Sequence, residues 1–240
     1  MNRILLITFS LLASCSFEKA PKPVIEGDQT RISKAYAEIE KYPTGKAVME
    51  KIRALQNNGV SITTQLQRAT DMRAMGTDSV TEGYIENTNG KYNVMLSEEL
   101  DLSTMAHALT HELVHVLDDH DTDEALRSHT DYQTNIQYTV QRMQAGETDQ
   151  LNQSQVSYVL ASVFCAEARA YTANQRLLQE GLMNSKMQEV TSQLATHIDS
   201  TYIQRFNTSY GANKQAMLEW CLSMSSMLVI QNSLITTYLN

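Results

Sequence analysis

The run His111–His120, HELVHVLDDH, sets two histidines four residues apart with a glutamate directly after the first. On an α-helix, positions i and i+4 present two side chains from neighbouring turns on one face, so the imidazoles of His111 and His115 can converge on one point. A zinc ion needs neutral imidazole nitrogens about 2 Å away in such an arrangement. Glu112 falls about 100° further round the helix, where a carboxylate can reach water beside the ion without binding the ion itself. This is the logic of H-E-x-x-H, with His111 and His115 as ligands and Glu112 as base. The pattern constrains the fold in two ways. It demands a helix with its histidines turned away from the apolar stripe, and it demands a third ligand from elsewhere in the chain.

The flanking residues meet the first demand. At 100° per residue, Leu102, Met105, Leu109, Leu113 and Val116 fall within about 80° of one another, while His107, His111 and His115 lie nearly opposite. The three histidines are expected to face water or a cleft. Most of the remaining chain also reads as helix. TRISKAYAEIEKY is a short helix stopped by Pro43, and TGKAVMEKIRALQNNG is a second with Thr44 as N-cap and Asn58-Gly59 as its stop. VSITTQL alternates as a strand does, and YIENTNGKYNVML is two strands about an Asn89-Gly90 turn. Helical stretches follow near 124–145, 153–180, 184–206 and 212–238, punctuated by Gly146, Gly181 and Gly211. The last contains the uncharged run WCLSMSSMLVIQNSLITTYLN, whose many hydroxyls and amides favour a buried core helix over a membrane span. The expected fold class is α+β, mostly helical, with a small sheet or hairpin before the motif helix and a C-terminal helical bundle.

The N-terminus carries a different signal. In MNRILLITFSLLASC, Arg3 precedes an apolar run that ends in Leu-Ala-Ser-Cys, which reads as a cleavable export signal. The last four residues resemble the bacterial lipobox, which implies acylation of Cys15; an ordinary secretory signal with a stray cysteine is the alternative. Ser16 after the cysteine favours, by the same resemblance, the outer membrane facing the periplasm. The expected organisation is a signal at 1–14, a proline-containing tether at 15–29 and one domain over 30–240. With 42% hydrophobic residues, 240 residues can build such a core. The net charge of −8, without any basic block, argues against a nucleic-acid partner. Beyond Cys15 only Cys165 and Cys221 remain, either a disulfide or two buried thiols.

HELVH resembles the motif of the zincin metallopeptidases. YPTGKAVMEKI, GYIENTNGKYNVML, LTHELVHVLDD and CAEARAY together resemble an uncharacterised bacterial family of that class, over roughly residues 30–175. The resemblance implies a zincin-like domain that uses zinc to hydrolyse peptide bonds in a peptide or protein substrate. For the third ligand, the metzincin solution puts a histidine six residues after the second, following a glycine turn; here position 118 is Asp, and His120 lies one residue early. Asp119 could orient a histidine, and His129 and Asp131 are further polar candidates. Glu167 is favoured. It occupies a core-facing position with Val156, Leu160, Val163, Ala170 and Leu177, and a carboxylate buried there must be protonated, paired with an arginine such as Arg169, or bound to a metal. Tyr171 stands where related glutamate zincins often carry an aspartate. Tyr171 and Arg169 are candidates to stabilise the transition state. The alternative to an enzyme is an envelope lipoprotein that keeps the zincin scaffold for binding or assembly.

Overall fold

The computed structural model describes residues 28–68, 82–126, 139, 142, 153–203 and 214–223. The expectations that rest on Cys15, His129, Asp131, Gly146 and Gly211 fall outside these residues. Within them the chain is mostly helical with one three-stranded sheet, an α+β arrangement. The elements are α1 (Asp28–Ile39), α2 (Pro43–Asn57), β1 (Ser61–Gln67), β2 (Gly83–Thr88), β3 (Lys91–Ser97), α3 (Leu102–Leu126), α4 (Gln153–Gln179), α5 (Ser185–Ser192), α6 (Leu194–Ile198), a π-helical turn (Asp199–Ile203) and α7 (Lys214–Ser223).

The sheet order is β1-β3-β2, with β3 parallel to β1 and antiparallel to β2. Asn89 and Gly90 both take positive φ, 54° and 77°, as a tight hairpin turn requires. The Asn87 side chain accepts from the Gly90 amide at 2.9 Å and pins the turn. Tyr92, Val94 and Leu96 of β3 are buried in one core with Ile39, Ile52, Leu109, Leu113 and Val116, so the central strand lies beneath the helices.

Entry into α3 is fixed by side chains. Asp101 Oδ1 accepts from the Thr104 amide at 2.8 Å, which caps the helix. Arg31 of α1 donates to the carbonyls of Glu98 and Leu100, at 2.6 and 2.7 Å, and ties the approach to the rest of the protein. The loop after α4 is laced to the first turns of α3. Ser103 donates to the Met183 carbonyl, Asn184 to Thr104, and His107 Nε2 lies 2.9 Å from the Leu182 carbonyl. Asn184 also caps α5. A disulfide joins Cys165 of α4 to Cys221 of α7, with 5.0 Å between the Cα atoms.

Three local expectations need correction. Helix α2 begins at Pro43, so Tyr42 and not Thr44 is its N-cap. Proline pre-sets the first helical φ and has no amide to satisfy, and Glu180 accepts from the Thr44 amide and hydroxyl, the role expected of a local cap. The stretch 184–206 is not one helix, because Gln193, at φ −131° and ψ 44°, separates α5 from α6. His107 faces neither water nor a cleft; it is fully buried beneath the Leu182 loop. A helical wheel registers the apolar stripe but not the loop that covers the polar side.

Candidate metal centre

Helix α3 supplies His111, Glu112 and His115, and α4, packed against it, supplies Glu167. The two Nε2 atoms lie 3.0 Å apart. His111 Nε2 is 3.4 Å from Glu167 Oε2, and His115 Nε2 is 3.4 Å from Glu167 Oε1. Around a tetrahedral ion with ligands at about 2.0–2.2 Å, neighbouring ligand atoms stand roughly 3.3 Å apart, close to these separations. Glu167 is wholly buried, and neither of its oxygens has a hydrogen-bond partner. A carboxylate in that condition is costly unless a cation faces it. His111, His115 and Glu167, all buried, could therefore hold a metal ion, and among the described residues theirs is the one group suited to it.

The groups of the cluster also act on one another. Burial pushes Glu167 up, but His115 and His111 outweigh it and hold the carboxyl well below the ordinary range. Burial opposes charge on His115 as well, yet the Glu167 carboxylate overcomes this and holds the imidazole above its usual value. The arginine partner considered for Glu167 does not materialise. Arg169 is about 200° round α4 from Glu167, and its Nε donates to Asp118 at 2.9 Å. That placement also separates Arg169 from the cluster it was a candidate to assist.

Glu112 is buried and belongs to the same electrostatic unit, but it is not one of the three clustered residues. Burial raises its carboxyl, and the neighbouring His111 and His115 oppose that rise. Its Oε2 is buried without a hydrogen-bond partner. The side chain lies over the start of β2, where a Cβ at Gly83 would stand 2.9 Å from Glu112 Cγ and 3.0 Å from Leu96 Cδ2. Gly83 therefore makes the room that Glu112 occupies. In the sequence a glycine opening a strand carries no chemical label.

Tyr171 packs edge-on against His111, with ring centroids 4.5 Å apart. Its hydroxyl is 3.2 Å from His197 Nε2. A phenol ring thus stands beside the first histidine of the motif. His197, from α6, was also missed, because a single histidine in LATHID has no partner at a telling spacing. Asp119 accepts from Asn87 of β2 at 2.6 Å, and His120 lies outside the cluster. No family model, curated protein or solved structure matches the chain.

Proposed function

We propose that this chain is a zinc-dependent metallopeptidase of the zincin type, in which His111, His115 and Glu167 hold the ion and Glu112 is the general base. The observation that carries the reading is the Glu167 carboxylate, buried, without hydrogen bonds, and facing two imidazole nitrogens at 3.4 Å. Two imidazoles and one carboxylate make a donor set suited to zinc that leaves one tetrahedral position open. When bound, zinc supplies Lewis acidity, polarising a carbonyl and acidifying water.

The protein's own groups have distinct tasks. Glu112 takes a proton from the attacking water and returns it to the departing amine, the exchange required of a positioned carboxylate. Gly83 leaves space for that carboxylate, and Tyr171 keeps the His111 ring in place. The Tyr171 hydroxyl and His197 form a polar pair beside the cluster, a source of a hydrogen bond to developing negative charge. Export and tethering through Cys15 complete the proposal and place the site in the cell envelope.

The near-complete burial of all three candidate ligands favours one other reading, a closed structural site in a non-catalytic protein. Glu112 separates the two, since a purely structural site has no use for an unligated buried carboxylate. Glu112→Gln should retain zinc and lose about a hundred- to ten-thousand-fold in cleavage of a mixed peptide library. Equal cleavage by parent and variant would remove Glu112 from the mechanism, and no cleavage by the zinc-loaded parent would favour the structural site.

A further inference from the structure

Helix α7 is anchored near both of its ends to the elements that flank the cluster. Cys221, in its last turn, is bonded to Cys165 of α4, two residues before Glu167. Lys214, its first residue, pairs with Asp199 at the end of α6, two residues after His197. Between these anchors α7 packs on both α4 and α6, with Leu218 buried. A free helix of 10 residues is too short to persist in water, so the anchors decide where α7 sits. The ion pair differs from a surface contact, since the Asp199 side chain is 2% exposed, and a buried carboxylate that loses its cation is left with an uncompensated charge.

His197 is the group that this arrangement governs. Its Nε2 is 3.2 Å from the Tyr171 hydroxyl of α4, and its Nδ1 is 3.5 Å from Thr201 Oγ1 in the π-helical turn that Asp199 begins. The candidate ligands are carried by α3 and α4, so α7 bears on a neighbour of the ion and not on what holds it. The disulfide spans 56 residues of sequence that include α5, α6 and the π-helical turn, and such a closure limits the freedom of the segment within it. On the metallopeptidase reading above, we propose that α7 is a strap: Lys214 and Asp199 are positioning residues that, with Cys165–Cys221, hold His197 against Tyr171 beside the cluster, and closing the disulfide completes the site. Closure forms the S–S bond and removes two electrons and two protons from the Cys165 and Cys221 thiols; a disulfide oxidant takes them and departs as two thiols. The reduced chain holds zinc with His197 unfastened, and the site matures only where thiols are oxidised.

The test is the reactivity of half-buried His197 in the purified full chain loaded with zinc, read by mass mapping after brief treatment with diethyl pyrocarbonate, which acylates accessible imidazole. Cys165→Ala with Cys221→Ala removes the bridge, Lys214→Met removes the ion pair while keeping an apolar stem, and Lys214→Arg keeps the charge. His197 should be modified at least about fivefold faster in the first two proteins, the scale of local opening when one such contact is lost, and at near the parental rate in Lys214→Arg. Zinc content should equal the parent's throughout, and His107, buried under the Leu182 loop, should stay slow, which reports an intact fold. Parent refolded with a phosphine reductant should match the double alanine protein, and should regain slow modification once the reductant is replaced by oxidised glutathione. With a peptide that the parent cleaves, both strap variants should lower kcat and leave KM near the parental value, the mark of a group used in the transition state. Parental His197 reactivity in both the double alanine and the Lys214→Met proteins, or zinc lost from both, would overturn the strap; slow modification of the reduced parent would overturn the oxidative step. Lys214→Met carries the test if the double alanine protein does not fold. A parent that cleaves no peptide would count against the metallopeptidase reading, while the His197 comparison would still decide the strap.

Discussion

Glu112 and Glu167 are both buried carboxylates, yet their surroundings move them in opposite directions. Desolvation acts first on each; for Glu167 the facing imidazoles reverse it, whereas for Glu112 it prevails. The contrast follows from placement, since each Glu167 oxygen has an imidazole nitrogen 3.4 Å away. Both residues were legible in the sequence: Glu112 from the spacing of HELVH, Glu167 from a carboxylate lodged in an apolar helical stripe. Gly83 was not, because its importance is the absence of an atom. Gly83→Ala would put a methyl 2.9 Å from Glu112 Cγ. Glu112 and Leu96 are both buried, so one of them must shift at some cost in stability, and the carboxylate should be displaced. We predict zinc content equal to the parent and turnover lower by about a hundredfold, the scale of a misplacement near 1 Å. Unchanged turnover would show that the position of Glu112 is not set at β2.

At the scale of elements, α3 is buried on more than its apolar stripe. The hairpin, the motif helix and α4 were all readable, from Asn89-Gly90, from the 3.6-residue period and from the stop at Gly181, whose φ is +109°. The lacing of the Leu182–Asn184 loop onto α3 was not, because it depends on contacts between segments some 80 residues apart, and the break at Gln193 carries no glycine or proline to announce it. His107 pays for that lacing with a buried ring. Burial pushes its imidazole below the ordinary value, against the Leu182 carbonyl that favours charge, and His197 is lowered by burial too. The unfolded chain, with histidine near about 6.5, therefore binds protons more readily. Their contribution to stability is present above that pH and is lost as the pH falls through it toward the depressed folded values. His107→Gln should give a smaller loss of denaturation midpoint than the parent between pH 7.5 and pH 5. A slope identical to the parent would mean that His107 does not titrate on unfolding.

At the scale of the whole molecule, the cluster set deep between helices is accompanied by a disulfide. The Cys165–Cys221 disulfide joins α4 to α7 across 56 residues of sequence, and such a bridge persists in oxidising compartments. The proposed export signal at 1–14 would deliver the chain to such a compartment. Among the described residues no helix is long and apolar enough to cross a membrane; independently of that, the lipid proposed on Cys15 is the anchor to test. Two or more acyl chains would hold it there, whereas one gives only marginal binding. Cys15→Ser should move the protein from the membrane fraction to the soluble fraction or leave it unprocessed; unchanged fractionation and mature mass would discard the lipid. The central claim, that a buried glutamate completes a zinc site begun by two histidines, is tested most directly by zinc content after dialysis against a weak chelator. The parent should keep stoichiometric zinc, and Glu167→Gln, which exchanges an anionic ligand for a neutral amide of nearly the same shape, should lose it. A parent that retains no zinc, or a Glu167→Gln protein that holds it as tightly as the parent, would contradict the account.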